Sequence, residues 1–253
     1  MNRIQYKLKE DKKILSIYFS AGFPNLNDTK SLIEELAKNN VDMVEIGLPF
    51  SDPLADGPTI QASSTQALKN GMTTKMLFDQ IKDIRETVDI PLIIMGYFNP
   101  ILQFGTENFL KKCKETGIDG LIIPDLPLEI YLSEYKQLFE SYKIAMIFLI
   151  TPQTSEERIR LIDANSNGFI YMVSSSSVTG SRENFDDNQL AYFERIAAMN
   201  LKNPQVIGFG ISNKTTFQQA TKHQKGAIIG SSFIQFIANN PISSIAKFIQ
   251  NLL

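Results

Sequence analysis

Eight short apolar runs alternate with helix-like segments along 253 residues, and two of the intervening gaps are much longer than the rest. The runs are apolar at both parities, so each strand would be covered on both faces, which indicates a parallel sheet wrapped by helices. Eight such strand–helix units predict a (β/α)8 barrel, the TIM-barrel class of α/β fold. An open doubly wound sheet shares the alternation. It would usually carry a Gly-rich turn after its first strand, where AGFPN at 21–25 offers a single glycine.

The elements follow in order. ILSIYFSA at 14–21 is the first run, and NDTKSLIEELAKN at 27–39 reads as its returning helix, opened by Asn and Asp as N-caps. VDMVEIG at 41–47 is the second run; the long gap behind it holds GLPFSDPLADGPTIQ and an extra helical stretch before PLIIMGY at 91–97. ENFLKKCKETG at 107–117 leads into GIDGLIIPD at 117–125, LEIYLSEYKQLFESY at 128–142 into KIAMIFLI at 143–150, and TSEERIRLIDANS at 154–166 into GFIYMVS at 168–174. The second long gap follows this sixth run as SSSSVTGSRENFDDN, rich in Ser and poor in apolar residues. QVIGFG at 205–210 and KGAIIGSS at 225–232 complete the set. An apolar strand resumes after each gap, so neither is an interdomain linker, and residues 1–253 are expected to form one domain. Insertions after barrel strands enlarge the face where chemistry occurs.

Composition removes whole classes of function. A formal net charge of −2 creates no field for nucleic acid or an acidic membrane surface. No run approaches the ~20 apolar residues that a membrane span needs, and MNRIQYKLKEDKK lacks a secretory h-region, so a cytoplasmic protein is expected, or a stromal one if a plastid makes it. Cys113 is the only cysteine and His223 the only histidine, which excludes disulfides, Cys/His metal centres and Ser-His or Cys-His triads. No metal is expected. Cys113, four residues after Phe109, reads as helix core, and His223 in ATKHQKG as a solvated helix end.

Two carboxylates stand out in EIGLPFSDPLADGPTI. In the second strand the period of two puts Val41, Met43, Glu45 and Gly47 on one face and Asp42, Val44, Ile46 and Leu48 on the other, which suits the helix layer. Glu45 then points into the barrel at its C-terminal end, where apolar surroundings should raise its pKa and make it a proton donor near neutrality. Asp56 lies on the long loop eleven residues beyond Glu45, beside Gly57 and among Pro49, Pro53 and Pro58. An Asp at a helix start is often a cap, but this loop can fold back over the barrel mouth and present it. There it is expected to be more exposed than Glu45, to lie on a mobile segment and to stay ionised.

The last three units end in VTGS, GFGIS and IIGSS, each with glycine where strand gives way to helix. In many barrels the loops after strands 7 and 8 and a short helix N-terminus hold phosphate through backbone N–H groups. Gly210, Gly230 and Ser231 fit that role, with Gly180 approaching from the sixth unit.

With VEIGLPFSDPLADGPTIQ, MGYFNP, PDLPLE, VTG, GFGIS and GAIIGSS in order nearly end to end, the chain resembles the tryptophan synthase alpha chain family. The resemblance implies a lyase that cleaves indole-3-glycerol phosphate, by a reverse aldol step, to indole and glyceraldehyde 3-phosphate. Glu45 would serve as the acid and base near indole C3 and the glycerol hydroxyl, and Asp56 would hold the indole N–H. The indole pocket would draw on Tyr18, Ile60, Ile122, Tyr171 and Phe209, the phosphate site on Gly180, Gly210, Gly230 and Ser231, and Thr179 would meet Asp56 on loop closure. The resemblance further implies no cofactor in this chain and a separate beta chain that carries pyridoxal phosphate. That partner would assemble into an α2β2 tetramer and dock near Pro53, Asn99 and Pro127.

Ser20, Phe23 and Ser177 depart from the family pattern, where Thr, Asp or Tyr, and Gly are usual; they bear on loop coupling and leave the two carboxylates untouched. A sugar-phosphate epimerase would need metal-binding histidines, and a phosphoribosylanthranilate isomerase a cysteine at a strand end, neither of which this sequence has. A non-catalytic barrel subunit that binds a phosphate ligand and only activates a partner is the alternative. Loss of Glu45 or Asp56 would have marked it.

Overall fold

Side chains of alternate parity along the first strand enter two separate cores. Ile14 and Tyr18 join an inner cluster with Met43, Ile93, Ile122, Ile147, Tyr171, Val206 and Ile228, whereas Leu15, Ile17 and Phe19 join an outer one with Val44, Ile46, Leu121, Met172 and the helices. A strand with apolar side chains at both parities satisfies both layers at once. The computed structural model describes residues 2–174 and 184–252.

Its strands are β1 (Ile14–Ser20), β2 (Met43–Gly47), β3 (Leu92–Met95), β4 (Gly120–Ile122), β5 (Ala145–Ile147), β6 (Leu149–Ile150), β7 (Ile170–Val173), β8 (Gln205–Gly208) and β9 (Gly226–Ile229). They form one parallel sheet in the order β5-β4-β3-β2-β1-β9-β8-β7-β6. The fifth apolar run therefore appears as two strands divided at Phe148, β5 paired to β4 and β6 to β7. The ladder crosses the break, because the Phe148 carbonyl accepts from the Tyr171 amide at 2.9 Å. Both ends of the sheet are thus parts of one run, and the barrel closes through it.

Several predicted helix starts carry their caps. Ser155 accepts from the Arg158 amide at 3.3 Å, and Asp186 and Asn213 each form a reciprocal capping box. Asp28 does not cap the helix Thr29–Lys38; its carboxylate accepts from Asn25 instead. The segment 128–142 contains a widened π turn at Tyr131–Tyr135 between helical stretches Leu128–Ile130 and Lys136–Tyr142. Cys113 is buried in the helix Thr106–Thr116, and His223 is exposed just beyond the helix Lys214–Thr221.

The N-terminal end of the barrel is plugged. Helix Arg3–Leu8 buries Ile4 and Leu8, and a side chain at Gly120 would bring its Cβ to 2.8 Å from Ile4 Cδ1. Asp119, beside that glycine, accepts from the Leu92 amide at 3.0 Å and pairs with Arg85 at 2.7 Å and Arg3 at 3.2 Å. With this end filled, access to the interior is left to the C-terminal end. There the segment after β2 builds two helices, Pro58–Lys69 and Thr74–Ile81.

Candidate active site

A cleft opens at the C-terminal end of the strands. Tyr18 from β1, Met95 from β3, Tyr171 from β7 and Ile228 from β9 form part of its wall, with Asp56 and Ile60 from the segment after β2. Glycine makes room for both tyrosines. A Cβ at Gly47 would fall 2.2 Å from Tyr18 Oη, and one at Gly208 would fall 2.0 Å from Tyr171 Oη. Each glycine is thus a packing requirement of a ring on a neighbouring strand. Tyr171 also meets Phe209 edge-on, centroids 6.4 Å apart.

Glu45 is 0% exposed, in register with Tyr18 on β1 and Ile93 on β3. Its Oε1 accepts from Ser16 Oγ at 3.0 Å, while Oε2 has no partner among the described residues. Burial pushes the carboxyl up to about 8, against the opposing effect of the Ser16 hydrogen bond. The inward parity agrees with the sequence, but the depth does not. Glu45 is absent from the cleft lining, because its carboxyl is bonded to Ser16, which lies opposite Met43, further from the mouth.

Asp56, expected to be more exposed than Glu45, is so only by a small margin at 6%, and it is no helix cap, since Gly57 occupies that position in the helix Pro58–Lys69. Its Oδ2 accepts from Tyr97 Oη at 3.1 Å, and Tyr97 Oη in turn accepts from the Ala55 amide at 2.8 Å. Gln61 Nε2 donates to the Asp56 carbonyl at 2.9 Å. Asp56 lines the cleft, and its Oδ1 is buried without a partner among the described residues. Burial raises the carboxyl to about 6, with the Tyr97 hydrogen bond pulling it back. The contrast between the two acids survives, but as two degrees of burial.

Part of the cleft lining is backbone. Gly210 at φ +76° and Gly230 line it, and Gly230 precedes the helix Ser231–Asn239 without any side-chain cap. The first helical bond runs from the Ile234 amide to the Gly230 carbonyl, so the amides of Ser231, Ser232 and Phe233 have no carbonyl a turn earlier. Such a helix start favours an anion.

The structure therefore brings Tyr18, Asp56, Ile60, Tyr171, Phe209, Gly210, Gly230 and Ser231 to one cleft. Ile122 is not there: it is fully buried in the inner core, and its register partner Met95 reaches the cleft instead. Thr179, Gly180 and Ser177 lie outside the described residues. Pro53 is buried and lines a small cavity with Asp56, and Asn99 and Pro127 are exposed. Sequence reasoning missed Ser16 and Tyr97, the hydrogen-bond partners of the two acids, and Ser232, which lines the cleft with its hydroxyl buried and unpartnered. Ser16 was within reach, since it shares inward parity with Tyr18; nothing local points to Tyr97. Among the described residues no group of three or more His, Cys, Asp or Glu could hold a metal ion.

The family profile described as tryptophan synthase alpha chain matches residues 4–252. The tryptophan synthase alpha chain of Flavobacterium psychrophilum is 71% identical over 252 residues, covering 100% of both chains. That of Christiangramia forsetii is 63% identical, covering 100% of this chain and 98% of the relative. Among solved structures, tryptophan synthase subunit alpha from Legionella pneumophila superposes with a TM-score of 0.89 at 31% identity, covering 100% of this chain and 97% of that one.

Proposed function

This chain belongs to the tryptophan synthase alpha chain family, and from that premise we propose how its cleft cleaves indole-3-glycerol phosphate to indole and glyceraldehyde 3-phosphate. One observation carries the reading: two buried carboxyl groups, Asp56 in the cleft and Glu45 below it, each with an oxygen that has no partner among the described residues, are pushed to about 6 and about 8. Near pH 7 Glu45 then holds its proton and Asp56 is mostly ionised. Environments that separate two acids in this way assign them different roles.

The reaction breaks the bond between indole C3 and the adjacent glycerol carbon. Glu45 donates a proton to C3, and the carboxylate it leaves accepts the proton of the glycerol hydroxyl, whose oxygen becomes the aldehyde. The net change is one proton moved from oxygen to carbon. Asp56, ionised, accepts the indole N–H and balances the positive charge that C3 protonation creates. For this Glu45 must exchange the Ser16 hydroxyl for substrate by rotating about its side-chain torsions, which its free Oε2 and single hydrogen bond permit. The indole ring lies among Tyr18, Ile60, Tyr171 and Phe209. The phosphate sits on the amides around Gly210, Gly230 and Ser231; the family resemblance adds Gly180 to the phosphate site and Thr179 to the substrate site, both outside the described residues.

Residues 1–253 act as one catalytic domain in the cytoplasm. Among the described residues no helix is long and apolar enough to cross a membrane. The chain needs no cofactor of its own; a tryptophan synthase beta chain carries pyridoxal phosphate and receives the indole. An α2β2 assembly is supported by exposed apolar side chains that follow successive strands: Leu54, at 87%, on the segment after β2, Leu102 in the helix Phe98–Phe104 with Asn99, and Ile130 in the helix Leu128–Ile130 next to Pro127. The purified chain, incubated with indole-3-glycerol phosphate with and without a beta chain, should release indole in both cases. No indole in either rejects the function.

A further inference from the structure

The anion end of the cleft depends on a backbone conformation that its own sequence disfavours. Phe209 and Gly210 both have positive φ, +71° and +76°. Glycine adopts this region freely, but a phenylalanine there is strained and persists only where its surroundings hold it. Phe209 and Gly210 line the cleft together with Ile211 and Ser212, so this turn directs the backbone presented to a ligand.

One side chain holds the turn from behind. Ser174, 1% exposed and not part of the cleft, donates from Oγ to the Phe209 carbonyl at 2.8 Å. Its amide donates to the Gly208 carbonyl at 3.1 Å, so a single residue grips both sides of the turn's start. Ser174 is held in its turn, because Gln189 Nε2 donates to its carbonyl at 3.2 Å and Gln189 is fixed by the capping box at Asp186. On the other side Phe185 packs against Gly210, where a Cβ would come within 3.3 Å of its ring.

We propose that Ser174 is a positioning residue for the anion site, its hydroxyl locking Phe209 in the left-handed conformation that aims the Gly210 turn at the phosphate. The proposal rests on the phosphate reading given above. Ser174 touches no substrate and acts through the Phe209 carbonyl. Without its hydroxyl the strained turn loses the side-chain hydrogen bond to that carbonyl, and the amide that follows samples other orientations.

The test is calorimetric titration of the full chain with glycerol 3-phosphate, which has the phosphate without the ring, and with indole, which has the ring without the phosphate. Ser174→Ala should weaken glycerol 3-phosphate by about five- to tenfold, the scale of one hydrogen bond, and leave indole affinity within about twofold. Ser174→Thr, which keeps the hydroxyl, should restore binding. Ser174→Cys, close in size with a weaker donor, gives the same split if the alanine variant does not fold. In a Phe209→Gly background, where positive φ carries no strain, the loss on Ser174→Ala should shrink to less than about twofold. Equal losses for both ligands, no loss, or the same loss in both backgrounds overturns the role. A wild-type chain that binds indole but no glycerol 3-phosphate rejects the phosphate reading itself, and this role falls with it.

Discussion

Replacing Tyr97 by phenylalanine removes one oxygen, and among the described residues that oxygen is the one hydrogen-bond partner of the Asp56 carboxylate. The hydrogen bond opposes the effect of burial, so its loss must raise the Asp56 pKa from about 6. A hydrogen bond to a charged group contributes ~1.5–3 kcal/mol and one pKa unit corresponds to ~1.4 kcal/mol, so the shift should be at least about one unit. We take the lower end, because the Tyr97–Asp56 separation of 3.1 Å is long for an O–H···O bond. At pH 6 the ionised fraction then falls from about one half to about one tenth, and at pH 8 it barely changes. The assay is kcat/KM for indole release against pH, with Tyr97→Phe losing about fivefold at pH 6 and little at pH 8. Tyr97 also holds the Ala55 amide, so the substitution could loosen the loop. That effect lowers kcat/KM equally at every pH. An acid limb that stays in place, or moves down, refutes the assignment of Asp56.

The wild-type profile should be bell-shaped, rising through pH about 6 as Asp56 ionises and falling through about 8 as Glu45 loses its proton; an acid limb below pH 5 contradicts it. Glu45→Gln should fold and lose cleavage by at least about a hundredfold, so near-normal turnover would remove Glu45 from the chemistry. The same variant tests burial through stability. Glu45 is raised from 4.5 to about 8, so between those values the folded chain keeps a proton that the unfolded chain releases, and wild-type stability falls as pH rises through that window. The melting temperature of Glu45→Gln relative to wild type should therefore increase from pH 4 to pH 9, and a difference flat with pH argues against a buried acid. Gly208→Ala places a Cβ 2.0 Å from Tyr171 Oη. Overpacking of that kind costs ~1–3 kcal/mol, so the variant should melt lower and bind indole more weakly; wild-type values for both would discount the ring packing.

Much of the barrel was legible because strand periodicity is local. The inward placement of Glu45, and of Tyr18 beside it, follows from a period of two that needs no knowledge of the rest of the chain. Depth along the barrel follows no such rule. Ile122 and Met95 are register partners, and which of them reaches the cleft depends on side-chain length and the stagger between strands. Asp28 looked like a cap and turned instead to Asn25, two choices close in energy that neighbouring residues decide. The break at Phe148 likewise leaves no mark in an apolar run whose two halves pair with different neighbours.

Sequence alone determined the order of the strands, the face on which Glu45 lies, the glycine-bearing strand ends and, through a single histidine and a single cysteine, the kinds of chemistry left to the chain. Tertiary structure decided how far each acid is removed from water. Tyr97 comes from the segment after β3 to hold Asp56, and Ser16 draws Glu45 below the cleft. A carboxyl group's pKa is set by desolvation and by hydrogen bonds, and both are supplied by residues that become neighbours only when the barrel closes.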